Sequence, residues 1–320
     1  MMRSYVCWLI ILLLMGCNTQ NSSIKQSPQE VRLMNGFEIK DPTVPIQEIY
    51  EGTPNRDNIP AISNPKFVTA SEAGFMSPDD PVIGVKINQE FRAYPIKILT
   101  WHELVNDEVG GKPIVVSYCP LCHSAYVFLR QIKDKTYTFG VSGLLFNSNV
   151  IMYDHQTESL WSQVMAEAIS GSLKGTELPQ VVATATTWQG WLAKHPGSKV
   201  LSTDTGYRRD YSRSPYGDYA ISRDLMFPVQ VTSDRYHPKA LVAGIEVNGK
   251  YKAYPFPELK KSKSETIKDT FEGQELTIRY DDKGQSVQIT KADGDEVVVN
   301  QLYWFAWYAF HPETAVFEIK

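Results

Sequence analysis

The chain has 320 residues, of which 42% are apolar, 12% aromatic and 21% charged, enough for one large or two medium domains with their own cores. Ordinary usage of Gly (20) and Pro (19) excludes collagen-like, coiled-coil and disordered classes. A net charge of −4 excludes a general nucleic-acid binder, which needs a cationic surface to displace counterions.

In chain order, the first feature is Arg3, followed by an apolar run over residues 5–15 and then Leu14-Met15-Gly16-Cys17. A charged start, a short apolar stretch and small residues at the cut spell an export signal, too short for a membrane span. The Leu-x-Gly-Cys ending looks like a bacterial lipobox, which implies cleavage before Cys17 and lipid on that cysteine. The longest later apolar run, 302–310, is also too short to span. The expected protein is therefore held in the bacterial cell envelope by its N-terminal lipid. Residues 18–65, rich in Ser, Asn, Gln and Pro, are expected to form a tether and an extended arm.

A repeat follows. Val82-Ile-Gly84-Val-Lys-Ile-Asn88 and Phe91-Arg-Ala93-Tyr94-Pro95 return as Val242-Ala-Gly244-Ile-Glu-Val-Asn248 and Tyr251-Lys-Ala253-Tyr254-Pro255, a constant offset of 160. Residues 111–118 find a fainter match in 273–280. Trp188-x-x-Trp191-x-x-x-His195-Pro196 returns as Trp304-x-x-Trp307-x-x-x-His311-Pro312. The fold class expected is α+β and β-rich, with two tandem diverged copies of one unit. The first spans 66–202 and the second, shorter and without the cysteine turn, spans 239–320; 203–238 is a connecting loop. Within the first unit, 82–87 and 91–94 are expected strands. A helix follows Pro95 through His102 and Val105 and ends near Gly110-Gly111. Residues 113–118, 124–130, 136–141, 150–153 and 180–183 are further strands, and 187–194 is a short helix.

Cys7 leaves with the signal and Cys17 takes lipid, so Cys119 and Cys122 are the only cysteines of the folded body. In an oxidising compartment such a pair forms a disulfide, holds a metal or carries a cofactor. Tyr118-Cys119-Pro120-Leu121-Cys122-His123 is open to several readings. A thioredoxin-like site puts its first Cys at a helix N-terminus, whereas a strand-like run follows here. Cys-x-x-Cys-His is the haem c signature, but the β context speaks against it. A Cys-Pro-x-Cys turn between strands suits a metal knuckle, for which His102 is the first choice of third ligand and His123 a possible further one. A plain disulfide is the fourth reading. His195 and His311, repeated at helix ends, read as structural, and His155 as a solvated turn residue. Ser142 lacks the Gly-x-Ser-x-Gly elbow of a serine hydrolase. Asp154 and Glu158 read as exposed carboxylates. There is no phosphate loop and no dinucleotide fingerprint.

Trp101-His-Glu-Leu-Val-Asn-Asp107, Tyr118-Cys-Pro-Leu-Cys122, Phe139-Gly-Val-Ser-Gly-Leu-Leu145, Met152-Tyr-Asp154 and Ser159-Leu-Trp161 together resemble the family of domain of unknown function 3179. Its members are bacterial and archaeal proteins, many of them exported, with no assigned reaction. Relatives commonly carry Asn or Gly after the second cysteine, so His123 departs from the pattern and haem c is further disfavoured. His102 lies inside a family motif. The leading expectation is a lipid-anchored envelope protein that binds copper or zinc through Cys119, Cys122 and His102. The alternatives are a thiol–disulfide oxidoreductase using the same pair, and a non-catalytic binding scaffold with a structural disulfide.

Overall fold

A computed structural model describes residues 30–319. The expected export signal and the expected lipid attachment at Cys17 lie outside the described residues. The chain is β-rich, with a few short helices, and none of the described helices is long and apolar enough to cross a membrane.

Two four-stranded arrangements share one order. In the first half Ala183–Thr187, Pro81–Ile87, Glu90–Pro95 and Lys199–Leu201 lie side by side, with the last pair parallel. In the second half the order is Asn300–Tyr303, Leu241–Val247, Lys250–Pro255 and Ala315–Val316, again with the last pair parallel. A glycine in the second strand of each set lets an indole ring lie against the backbone. A Cβ on Gly84 would fall 2.2 Å from the Trp191 ring, and one on Gly244 2.1 Å from the Trp307 ring. His195 then stacks on Phe91 and His311 on Tyr251, while their backbone N–H groups close the helices onto Trp191 O and Trp307 O.

Each half also carries a three-stranded meander: Leu104–Val109, Lys112–Cys119 and Ser124–Leu129 in the first, Thr266–Phe271, Gln274–Asp281 and Ser286–Lys291 in the second. Ser124–Leu129 pairs with Asn300–Tyr303 through Ala125 and Gln301, so the first meander completes a seven-stranded sheet with the second half. Its face packs Leu104, Val115, Cys119, Tyr126 and Phe128 into the largest core cluster with Leu302, Trp304 and Trp307.

The first half carries an additional five-stranded sheet: Glu167–Ser170, Leu160–Ser162, Asn149–Asp154, Phe139–Phe146 and, from the N-terminal arm, Ile49–Glu51. Phe37, Ile39 and Ile46 of the arm pack on Leu144 and Ile151 of that sheet. The tight Asn147-Ser148 turn, both residues at positive φ, projects from it onto the cysteines.

One expected helix is shorter than its apolar spacing suggests. It covers Ile96–His102 and stops at Glu103, whose φ of 57° breaks it. Residues 104–109 then form a strand, because Gly110 and Gly111 both accept positive φ and turn the chain into a hairpin with Lys112–Cys119.

Candidate functional site

Cys119 ends one strand and pairs with Ser124 at the start of the next. Pro120, Leu121, Cys122 and His123 form the turn, and His123 takes a φ of 51°. That conformation favours Gly or Asn over a residue such as His. Both cysteines are free thiols, 1% and 0% exposed. They converge on one acceptor, Ser148 O, at 3.9 Å from Cys119 Sγ and 3.2 Å from Cys122 Sγ.

The two thiols are not equivalent. Burial works to raise Cys119, but the Cys122 thiol and the backbone N–H groups of Cys122, Val150 and Leu121 stabilise a thiolate at its sulfur and bring it below the usual value. Cys122 is pushed well up by burial, then by its hydrogen bond to Cys119 and the charge there. A buried polar network fixes the turn beneath. Ser124 Oγ donates to Gln163 Oε1 (2.6 Å), Asn149 Nδ2 donates to the same oxygen (2.8 Å), and Gln163 Nε2 donates to Ser117 Oγ (2.7 Å). Around the sulfurs, Tyr126 Oη, Ser148 Oγ, Asn149 Oδ1 and Tyr219 Oη have no hydrogen-bond partner in the structure.

Glu103, 6% exposed, stands close enough to Cys119 to feel its charge. Burial, then that charge, holds its carboxyl well above the usual carboxylate range. Its backbone carbonyl accepts the Tyr118 N–H at 2.8 Å, which ties the broken helix end to the cysteine strand. The segment between the two halves crosses over this region. Tyr216 and Tyr219 reach the thiols' electrostatic field, and Leu225, Phe227 and Val229 pack against the same core cluster. Between this strap and the five-stranded sheet lies a cavity of about 300 Å³, with Glu103, Leu121, Val150, Tyr216 and Phe227 among its walls.

Of the residues singled out from sequence, Cys119 and Cys122 come together and His102 is engaged elsewhere. Pro60 O can only accept, so His102 Nδ1 carries the proton and donates to it at 2.7 Å. Burial lowers the His102 pKa, so Nε2 is an acceptor near neutral pH, and Tyr211 Oη donates to it at 2.7 Å. Among the described residues no three His, Cys, Asp or Glu side chains are gathered as metal donors. His123 Nδ1 lies 3.0 Å from Tyr118 Oη and its ring stacks on Tyr303; burial takes its pKa down to about 4.

Asp154 corrects an expectation. It is fully buried rather than exposed, because it accepts the Thr157 N–H and the Trp161 Nε1–H, whereas Glu158 is exposed and pairs with Arg56. Ser142 is buried in a strand bulge, where its Oγ donates to Ile151 O and accepts the Leu144 N–H, an arrangement with no role for a nucleophile. His155 is exposed and His237 Nδ1 accepts the Lys239 N–H.

Sequence reasoning missed Glu103, Ser148, Tyr216 and Tyr219. Glu103 had one available signal: Gly110-Gly111 marks a hairpin turn, and a hairpin needs a strand rather than a helix just ahead of it, so the helix must break near Glu103. The tyrosines lie in an aperiodic loop about a hundred positions away, where no local pattern points to the cysteines.

No curated protein matches this chain, and no solved structure matches it. A family comparison matches residues 56–298, most of the chain, and on that match the chain belongs to the family described as protein of unknown function (DUF3179).

Proposed function

We propose that the chain is a dithiol–disulfide redox protein of the cell envelope, with Cys119 as the attacking thiolate and Cys122 as its resolving partner. What supports this reading is the asymmetry of the turn. Backbone N–H groups and the neighbouring thiol bring Cys119 below the usual value, while burial and then the interaction with Cys119 outweigh the Asn149 hydrogen bond and keep Cys122 protonated. A disulfide partner attacked by Cys119 forms a mixed disulfide. Cys122 then displaces it, closing Cys119–Cys122 and releasing the partner as two thiols. Glu103 beside Cys119 keeps a proton available in a dry setting. An N-terminal lipid on Cys17 would hold this body at the membrane.

The test is to equilibrate the full chain with oxidised and reduced glutathione, alkylate, and count free thiols at Cys119 and Cys122 by mass. The expected wild type interconverts between two free thiols and none. Cys122→Ser should trap glutathione on Cys119, and Cys119→Ser should trap little. A pair that stays reduced at every ratio while the protein remains folded would remove the reading.

One observation favours a second reading on the same atoms. Tyr126, Ser148, Asn149 and Tyr219 place four unpartnered oxygen atoms around the sulfurs, a polar setting in which the two thiolates, ligands that select copper or zinc, would hold such an ion. If His102 is the third ligand, His102→Ala loses that ion. If the ion rests on the turn alone, only the cysteine variants lose it.

We also infer that the two halves are diverged copies of one unit, the first enlarged by the five-stranded sheet. Supporting this, Tyr280 donates to Glu265 O as Tyr118 does to Glu103 O, and Gln285 takes a φ of 47° where His123 takes 51°. In the second turn Asp281 Oδ1 accepts the Gly284 N–H at 3.0 Å, at the position matching Cys119.

A further inference from the structure

We propose that the cavity beside the cysteine turn binds a quinone, and that this quinone is the two-electron oxidant of the Cys119–Cys122 pair. The proposal rests on the dithiol reading above and adds the identity of the oxidant.

The cavity is of small-molecule size, about 300 Å³. Its walls are almost wholly apolar, with Ile59, Val141, Leu145, Val150 and Phe227 among them, and its one carboxyl group is that of Glu103. Tyr216 and Phe227 are its aromatic lining residues, the kind of side chain that packs on a flat ligand. Exposed Gly52 and the half-exposed Met226 mark the open side. Leu121 and Val150 form the wall nearest the thiols, and their own backbone N–H groups are among those directed at Cys119 Sγ. A ligand in the cavity is thus separated from that sulfur by one residue's thickness.

These features select the ligand class. A peptide disulfide such as oxidised glutathione carries several charges, and the cavity holds no cation to pair its carboxylates, so burying it there is unfavourable. An uncharged ring suits the walls, and a carbonyl oxygen is the group that the Tyr216 hydroxyl, an O–H donor in the lining, can meet. A molecule that is flat, apolar, carbonyl-bearing and able to take two electrons is a quinone.

The step balances. The two S–H bonds of Cys119 and Cys122 break and one S–S bond forms. Two electrons and two protons pass to the quinone, whose two carbonyls become the hydroxyls of a quinol.

The test uses the full chain and duroquinone, whose ring positions are all methylated and therefore cannot arylate thiols. Binding is measured by equilibrium dialysis on the Cys119→Ser/Cys122→Ser variant, and electron transfer by quinol formation with the reduced wild type. Duroquinone is expected to bind the double variant, and to yield one quinol per disulfide with the wild type. Leu145→Trp, which fills the cavity, should weaken binding at least tenfold while glutathione still cycles the pair. Val141→Phe is a second filling variant should the first not fold. If glutathione cycles the pair but duroquinone neither binds nor is reduced, the quinone proposal is overturned and the dithiol reading stands. Binding to the double variant without quinol formation by a wild type that also resists glutathione overturns both.

Discussion

Replacing Glu103 by Gln is expected to remove a pH-dependent cost of folding. In the unfolded chain this carboxyl ionises near the ordinary glutamate value of 4.5, whereas in the fold it stays protonated to a much higher pH. Between those two values the folded state holds one proton that the unfolded state has released. Stability is then full below about pH 4.5 and falls by about 1.4 kcal/mol for each unit of rising pH, until the folded group ionises. Over pH 5 to 7 the loss reaches about 2.7 kcal/mol if the carboxyl remains protonated throughout. Glu103→Gln keeps the shape and the left-handed backbone but cannot ionise. The other ionisable groups cancel in the difference, so the variant should gain on the wild type by that amount across the interval. Urea unfolding of both proteins at pH 5, 6 and 7 measures it. Stability curves that run parallel would show Glu103 ionised and hydrated in the fold, and would refute its placement as a buried acid.

Further outcomes follow from other contacts. His102→Ala, which strands Pro60 O and leaves Tyr211 Oη with Thr205 Oγ1 alone, should lower unfolding stability by about 2 kcal/mol and leave the reduction potential of the pair unchanged; a lost metal ion or a shifted potential would return His102 to the site. Gly84→Ala and Gly244→Ala, each driving a Cβ into an indole ring, should each cost about 3 kcal/mol in denaturant titrations. A cost at one site and none at the other would contradict the shared packing of the two halves. Gln163→Leu cuts the hydrogen bonds that join Ser117, Ser124 and Asn149, and should destabilise by about 2–3 kcal/mol, measured by thermal unfolding. His123→Asn, suited to its positive φ, should leave thiol cycling intact.

Strands around Gly84 and Gly244, and the turn holding Cys119 and Cys122, were legible because apolar runs and turn residues act locally in sequence, and the same local pattern returns 160 residues on. The Trp-x-x-Trp helices were legible for the same reason, as their indoles return at matched spacing and go into the core. The surroundings of the thiols were not. Ser148 belongs to a hairpin of the additional sheet, Glu103 to a helix end that looked like helix interior, and Tyr216 and Tyr219 to an aperiodic strap. Each meets the cysteines only through the tertiary fold. His102 misled for a related reason: its position in a motif identified a buried imidazole, but its partners Pro60 and Tyr211 lie 42 and 109 residues away.

The most direct measurement of the central claim is the reduction potential of Cys119 and Cys122 in the full chain, titrated against dithiothreitol and glutathione buffers with thiols counted by mass. A dithiol centre should give one two-electron transition, with a tenfold change in its oxidised-to-reduced ratio for about every 30 mV, and the transition should vanish in Cys119→Ser. Two thiols that stay reduced across the whole range in folded protein, or a bond that forms only on unfolding, would contradict it.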